Sequence, residues 1–139
     1  VIYATAGTRR SVIALDAGTG ELLWVHSEFE GQRGADAPRQ LSGRGLSYWT
    51  DGREKRIIYV TPGFQLVELD AATGVKVAGF GKAGMVDLKE AVVYGTGTPI
   101  DLISGEAGLH ATPAIAGHAT VIASSSRLAA ENLRWPATR

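Results

Sequence analysis

The sequence predicts an all-β fold built from repeated sheets: an incomplete β-propeller of about two blades plus the start of a third. Three observations carry this. Eighteen glycines and 5 prolines make 23 turn-forming residues out of 139, above the roughly 12% of average usage. The apolar segments are only four to seven residues long, the length of strands rather than helices. The chain is also self-similar. V-I-Y-A-T-A-G at 1–7 resembles I-I-Y-V-T-P-G at 57–63, and V-I-A-L-D-A-G-T-G at 12–20 resembles L-V-E-L-D-A-A-T-G at 66–74, which places Asp16 and Asp70 54 positions apart. A period of this length marks a repeat architecture.

The elements follow in order. After a first strand at 1–7, the second, at 12–15, is apolar on both faces: Val12 and Ala14 alternate with Ile13 and Leu15. That suits a strand sandwiched between neighbouring sheets. Asp16 is placed to accept backbone N–H groups from the turn that follows, and Gly20 to supply the positive φ that closes it. E-L-L-W-V-H at 21–26 returns as an outer strand, with Trp24 offering a large flat ring to bury against the adjacent repeat. Residues 31–43 form a longer connection rich in Gly, Arg and Asp.

The second repeat opens with R-G-L-S-Y-W-T at 44–50, passes through 57–63 and 66–74, and ends at Val77, Ala78 and Phe80, so its aromatic is displaced relative to Trp24. M-V-D-L-K-E-A at 85–91 reads as a short helix. The third repeat opens with G-L-H-A-T-P at 108–113, 63 positions after G-L-S-Y-W-T, and V-I-A-S at 121–124 echoes I-Y-V-T at 58–61. The blades are therefore drawn at 1–43, 44–107 and 108–126, and 127–139 is an irregular or helical tail outside the repeat, stopping at Pro136. A propeller closes with roughly four to eight blades. The chain, which starts at Val1 like a mature or truncated piece, is expected to be a sector of a larger ring, with Leu, Ile and Val faces left for neighbouring blades.

Composition excludes several classes. Fourteen basic and 14 acidic residues give a net charge of zero, without the basic stripe of a nucleic-acid binder. With 45% hydrophobic and 20% charged residues, the chain is not of disordered type. No stretch approaches the 18 or so apolar residues of a membrane span, and no signal peptide is visible. There is no cysteine, hence no disulfide or thiolate chemistry. His26, His110 and His118 lack metal-ligand spacing, and Ser124 to Ser126 lack a G-x-S-x-G elbow. G-F-G-K-A-G at 79–84 matches G-x-G-x-x-G, with Asp101 20 residues after Gly81. A dinucleotide site needs those glycines inside a βαβ unit. Here they follow an Asp-turn repeat and more plausibly shape a loop leaving the blade.

Several runs together resemble one family. D-A-G-T-G-E-L-L-W at 16–24 resembles the tryptophan-docking motif of the quinoprotein alcohol and glucose dehydrogenases, enzymes that use pyrroloquinoline quinone (PQQ). R-G-L-S-Y-W at 44–49 resembles the family's R-G-[VL]-[AS]-Y-W. Residues 57–63, 69–74 and 79–88 resemble the same region of membrane-type members, and the resemblance covers about 1–126. It implies an eight-bladed propeller with PQQ near the axis, calcium beside the quinone, and hydride transfer from a small alcohol or aldose sugar to the quinone carbonyl. A downstream quinone or cytochrome would take the electrons, and the location would be periplasmic, soluble or anchored through another part.

The resemblance assigns cofactor binding to Arg44, to Thr112 (with His110 as alternative), and to Ser125 and Ser126 (with Ser124 opening another register). A guanidinium suits the cofactor's acidic groups because it forks onto a carboxylate. Glu131 lies too far along to match the family's calcium-ligating Glu, so no metal ligand is assigned. The catalytic Asp belongs to later blades, so this chain carries no catalytic residue and is expected to be inactive alone. Trp24 and Trp49 are read as packing residues. The alternative reading is a non-catalytic propeller scaffold.

Overall fold

The computed structural model describes residues 1–38, 40–41, 44–90, 92, 97–109, 111–117, 119–122 and 124–125. Among the described residues are eleven strands and one short helix. Strands β1 (Ile2–Ala6), β2 (Ser11–Leu15) and β3 (Leu22–His26) form a three-stranded sheet in chain order. After helix α1 (Gly31–Ala35), strands β4 (Leu46–Thr50), β5 (Lys55–Val60), β6 (Gln65–Asp70) and β7 (Met85–Asp87) form a four-stranded sheet. In the third repeat β8 (Gly108–Leu109) pairs with β11 (Ser124–Ser125), and β9 (Ala114–Ala116) with β10 (Ala119–Val121). All these strand pairings are antiparallel. The described residues are all-β apart from α1, and their sheets follow one another as blades.

Each repeat is shaped by one piece of local chemistry. The Asp16 carboxylate accepts from the N–H groups of Gly18 and Thr19, both at 2.8 Å, and from the Thr19 hydroxyl at 3.1 Å. The Asp70 carboxylate does the same with Ala72 N–H (3.1 Å), Thr73 N–H (3.0 Å) and the Thr73 hydroxyl (2.9 Å). In both, the glycine four residues on donates to the Asp carbonyl, Gly20 at 2.9 Å and Gly74 at 2.8 Å, with φ of 75° and 71°. These bonds hold both aspartates below the usual carboxylate range. A third copy of the turn, not visible as a repeat in sequence, is built on Asp101. It accepts from Ile103 N–H, Ser104 N–H and the Ser104 hydroxyl, and Gly105 closes it. Asp101 is therefore a turn anchor. The hairpins at the other end of the strands also correspond: Arg10 (φ 52°) and Phe64 (φ 66°) hold the same left-handed position in successive blades, each N–H bonding the carbonyl three residues back.

Register corrects the sequence alignment by one residue. Ile2 faces Leu15 across the sheet as Ile57 faces Leu69, so β1 and β5 are offset by 55 positions, whereas the aligned runs imply 56. A one-residue slip exchanges the two faces of a strand. It matters here because each face packs into a different core. Val12, Tyr3 and Trp24 of the first sheet meet Ile57, Tyr59, Val67, Leu69 and Ala71 of the second in one core. Ile58, Val60, Phe64 and Leu66, on the opposite face of that second sheet, pack with Leu88, Ile100, Ala107 and Ile115 in another. The first core thus lies between blades, and the second joins the sheet to the connection after β7 and to Ile115 of the third repeat; the both-faces-apolar pattern has that cause.

The predicted helix at 85–91 is absent: Met85 to Asp87 are a strand, pairing with Val67 to Gln65 of β6. The outer strand of this blade is split. Lys76 bridges to Leu69, the chain then leaves the sheet through the glycine-rich run, and β7 rejoins it. Backbone bonds from Phe80 to Val77, Gly84 to Phe80 and Lys82 to Met85 close that excursion. The glycines shape a loop, and no helix follows them. Helix α1 lies in the connection at 31–43, where only a loop was read.

Trp24 docks as its flat ring suggested. Its Nε1–H donates to the Ala71 carbonyl at 3.2 Å, and a Cβ on Gly74 would fall 2.5 Å from its ring. The boundary of the tail 127–139 and its helical character lie outside the described residues.

Candidate cofactor-binding site

The site grows from the entry to β4. On one side β4 is tied to the first blade: the Thr5 hydroxyl donates to the Arg44 carbonyl at 2.6 Å, and Tyr3 stacks on Tyr48 with ring centres 6.2 Å apart. On the other it is tied to the third: the Ser47 hydroxyl bonds the Pro113 carbonyl, and Trp49 Nε1–H donates to Gly117 O at 3.0 Å. Strand β4 is therefore held from both flanks, which fixes the backbone of Arg44 and Gly45.

Arg44 extends its Nη2–H to the Gly7 carbonyl at 2.8 Å. This is its one side-chain bond among the described residues, and a guanidinium carries five donors. Thr112 comes from the third blade and sits directly over Gly45: a Cβ built on Gly45 would fall 1.7 Å from Thr112 Oγ1. The structure therefore brings Arg44 and Thr112, assigned from segments almost 70 residues apart, to adjacent backbone positions. Ser125 lies in β11, paired with Gly108 of β8. Ser126, like His110, falls outside the described residues.

Next to Arg44, which shares the Gly7 carbonyl with the Arg10 N–H, begins a set of charged side chains that sequence reasoning missed. Arg10 is buried, with Nη1–H bonding the carbonyls of Val60 (2.9 Å) and Thr61 (3.1 Å) in the next blade. Burial lowers its pKa, opposed by the Glu30 carboxylate. Glu30 accepts from the Thr61 hydroxyl at 2.5 Å and Gly63 N–H at 2.9 Å. Arg33 forks onto Asp87 with two bonds of 2.6 Å, and its Nε–H donates to Gly63 O at 2.7 Å. Burial works to raise Asp87, but Arg33 and the Lys89 N–H outweigh it, and the carboxyl sits below its usual range. Lys89 is itself buried, its ammonium directed at the carbonyls of Leu102 and Ile103, and burial with Arg33 nearby pulls its pKa down. These groups bind α1, the β5–β6 hairpin and β7 into one body. The only advance signal was the basic pair Arg9-Arg10 after a strand.

Among the described residues no group of three or more His, Cys, Asp or Glu is placed to hold a metal ion.

Successive antiparallel blades, Asp-anchored turns and an indole docked on the next blade's glycine define a sector of a tryptophan-docked β-propeller. The model of the PQQ family, described as the glucose/ethanol/alcohol dehydrogenase β-propeller domain, matches residues 1–136, and the chain belongs to that family. No curated protein matches the chain.

Proposed function

We propose that this chain is a sector of a PQQ-dependent dehydrogenase that oxidises an alcohol or an aldose sugar, and that it works only within the complete ring. The observation supporting this is the adjacency of Arg44 and Thr112 across two blades, with no side chain on Gly45 between them. The donor set fits an acid-bearing quinone. Arg44 offers a fork for a carboxylate, and the exposed Thr112, packed over Gly45, offers a hydroxyl. Ser125 and Ser126 are the further residues proposed to hold the cofactor.

When bound, PQQ supplies the redox chemistry by accepting a hydride from a hydroxyl-bearing carbon; the protein binds and orients it. Arg44 holds an acidic edge, and the bonds on both flanks of β4 hold the backbone that carries Arg44 against Thr112. The general base and the calcium ligands belong to other blades. A quinone or cytochrome takes the electrons, in the periplasm.

The test is dye reduction by the complete protein loaded with PQQ and calcium, against a panel of alcohols and aldoses. PQQ-dependent turnover is the expected result, with none from the 139 residues alone. No turnover by the complete protein on any of these substrates would favour a scaffold role instead.

A further inference from the structure

We propose that Gly45 is a positioning residue for the cofactor: its missing side chain is what lets Thr112 lie against the backbone next to Arg44. This rests on the reading of the site as a PQQ site.

All three heavy atoms nearest to a Cβ at Gly45 belong to one side chain: Thr112 Oγ1 at 1.7 Å, Cβ at 2.7 Å and Cγ2 at 2.9 Å. A β-branched side chain has few rotamers to retreat into. Neither backbone is free to yield. Arg44 is tethered through Thr5 and, one residue past Thr112, Pro113 is tethered through Ser47. Gly45 has no positive φ among the described glycines, so backbone conformation does not require glycine here; the close approach of Thr112 does. Any side chain at 45 displaces the Thr112 hydroxyl from its place over the Gly45 backbone. One of the two groups aimed at the cofactor is then misplaced while the other stays in position.

The experiment is a double-variant cycle in the complete protein, with Gly45→Ala, Thr112→Gly and the pair. It reads PQQ affinity from quenching of tryptophan fluorescence and apo-protein Tm separately. Gly45→Ala alone is expected to weaken PQQ binding roughly tenfold, the scale of one lost hydrogen bond to a charged ligand. In the Thr112→Gly background the same change is expected to alter affinity by less than about twofold, because the obstructing atoms are gone.

An equal loss in both backgrounds, or a lowered Tm with unchanged PQQ affinity, overturns the proposal. If Gly45→Ala alone does not fold, the double variant must fold; a double variant that stays unfolded contradicts the geometry. Failure of the unsubstituted protein to bind PQQ is a different result and removes the functional reading itself.

Discussion

The Trp24 indole lies against the Gly74 backbone, with Cε3 2.5 Å from where a Cβ would be, while its N–H reaches Ala71 O, which the Tyr3 hydroxyl also reaches at 2.9 Å. One blade's outer strand thus grips the next blade's Asp turn. Gly20 holds the corresponding place in the first blade at nearly the same φ, yet nothing lies within 4 Å of its Cβ position. This pair separates two costs. Gly20→Ala in the 139-residue chain should lose only the left-handed backbone penalty, about 1 kcal/mol. Gly74→Ala should lose about 3 kcal/mol, because the indole must also move. Urea unfolding of both variants, made in a chain solubilised by Leu23→Lys with Val25→Thr, measures the difference, and equal costs would contradict docking.

The open face around Gly20 predicts the behaviour of the isolated chain. Ile2, Leu23 and Val25 are about half exposed, at 50%, 49% and 53%. On the equivalent face of the second blade Ile57, the counterpart of Ile2, and its partner Leu69 are at 0%. A sheet face of this kind invites association. The 139-residue chain is expected to aggregate or unfold with low cooperativity, and Leu23→Lys with Val25→Thr to raise its soluble fraction. A cooperative thermal transition of a soluble unsubstituted monomer would argue against it.

The Arg33–Asp87 fork predicts a specific acid sensitivity. Asp87 has a lowered pKa in the folded chain, so it contributes stability that is fully present above the ordinary aspartate value of about 3.9. That contribution is lost as pH falls through the lower folded value. Asp87→Asn should therefore lower stability at neutral pH and flatten its decline below about pH 4. The loss should be about 2 kcal/mol, less than the 3–5 of a fully buried pair, since the two side chains are 13% and 17% exposed. Chemical unfolding of both proteins from neutral to acid pH checks the sign; parallel curves would contradict it.

Much of this architecture was legible because it is local. The Asp turns are set by a carboxylate, a hydroxyl and a glycine within five residues, so D-A-G-T-G and D-A-A-T-G announce themselves. The Asp101 turn has the same chemistry but stands 31 positions after Asp70, off the repeat, and uses Ser104 in place of threonine. Trp24 was readable as a packing group, though its seat on Gly74 required the next blade. The one-residue register error arose because strands buried on both faces carry no alternation to fix it. Met85 to Asp87 were misread because the chain leaves the sheet after Lys76, and a strand of three residues has too little pattern to compete with an apparent helix. Arg44 and Thr112 came from family resemblance; that they meet over Gly45 is a tertiary fact.

We propose that Arg44 holds PQQ, and equilibrium titration of the complete apo-protein with PQQ decides it. Unsubstituted protein is expected to bind, and Arg44→Lys, which keeps the charge but loses the fork, to bind at least roughly tenfold more weakly at an unchanged Tm. Equal affinity of the two proteins for PQQ, or no binding by either, would contradict it.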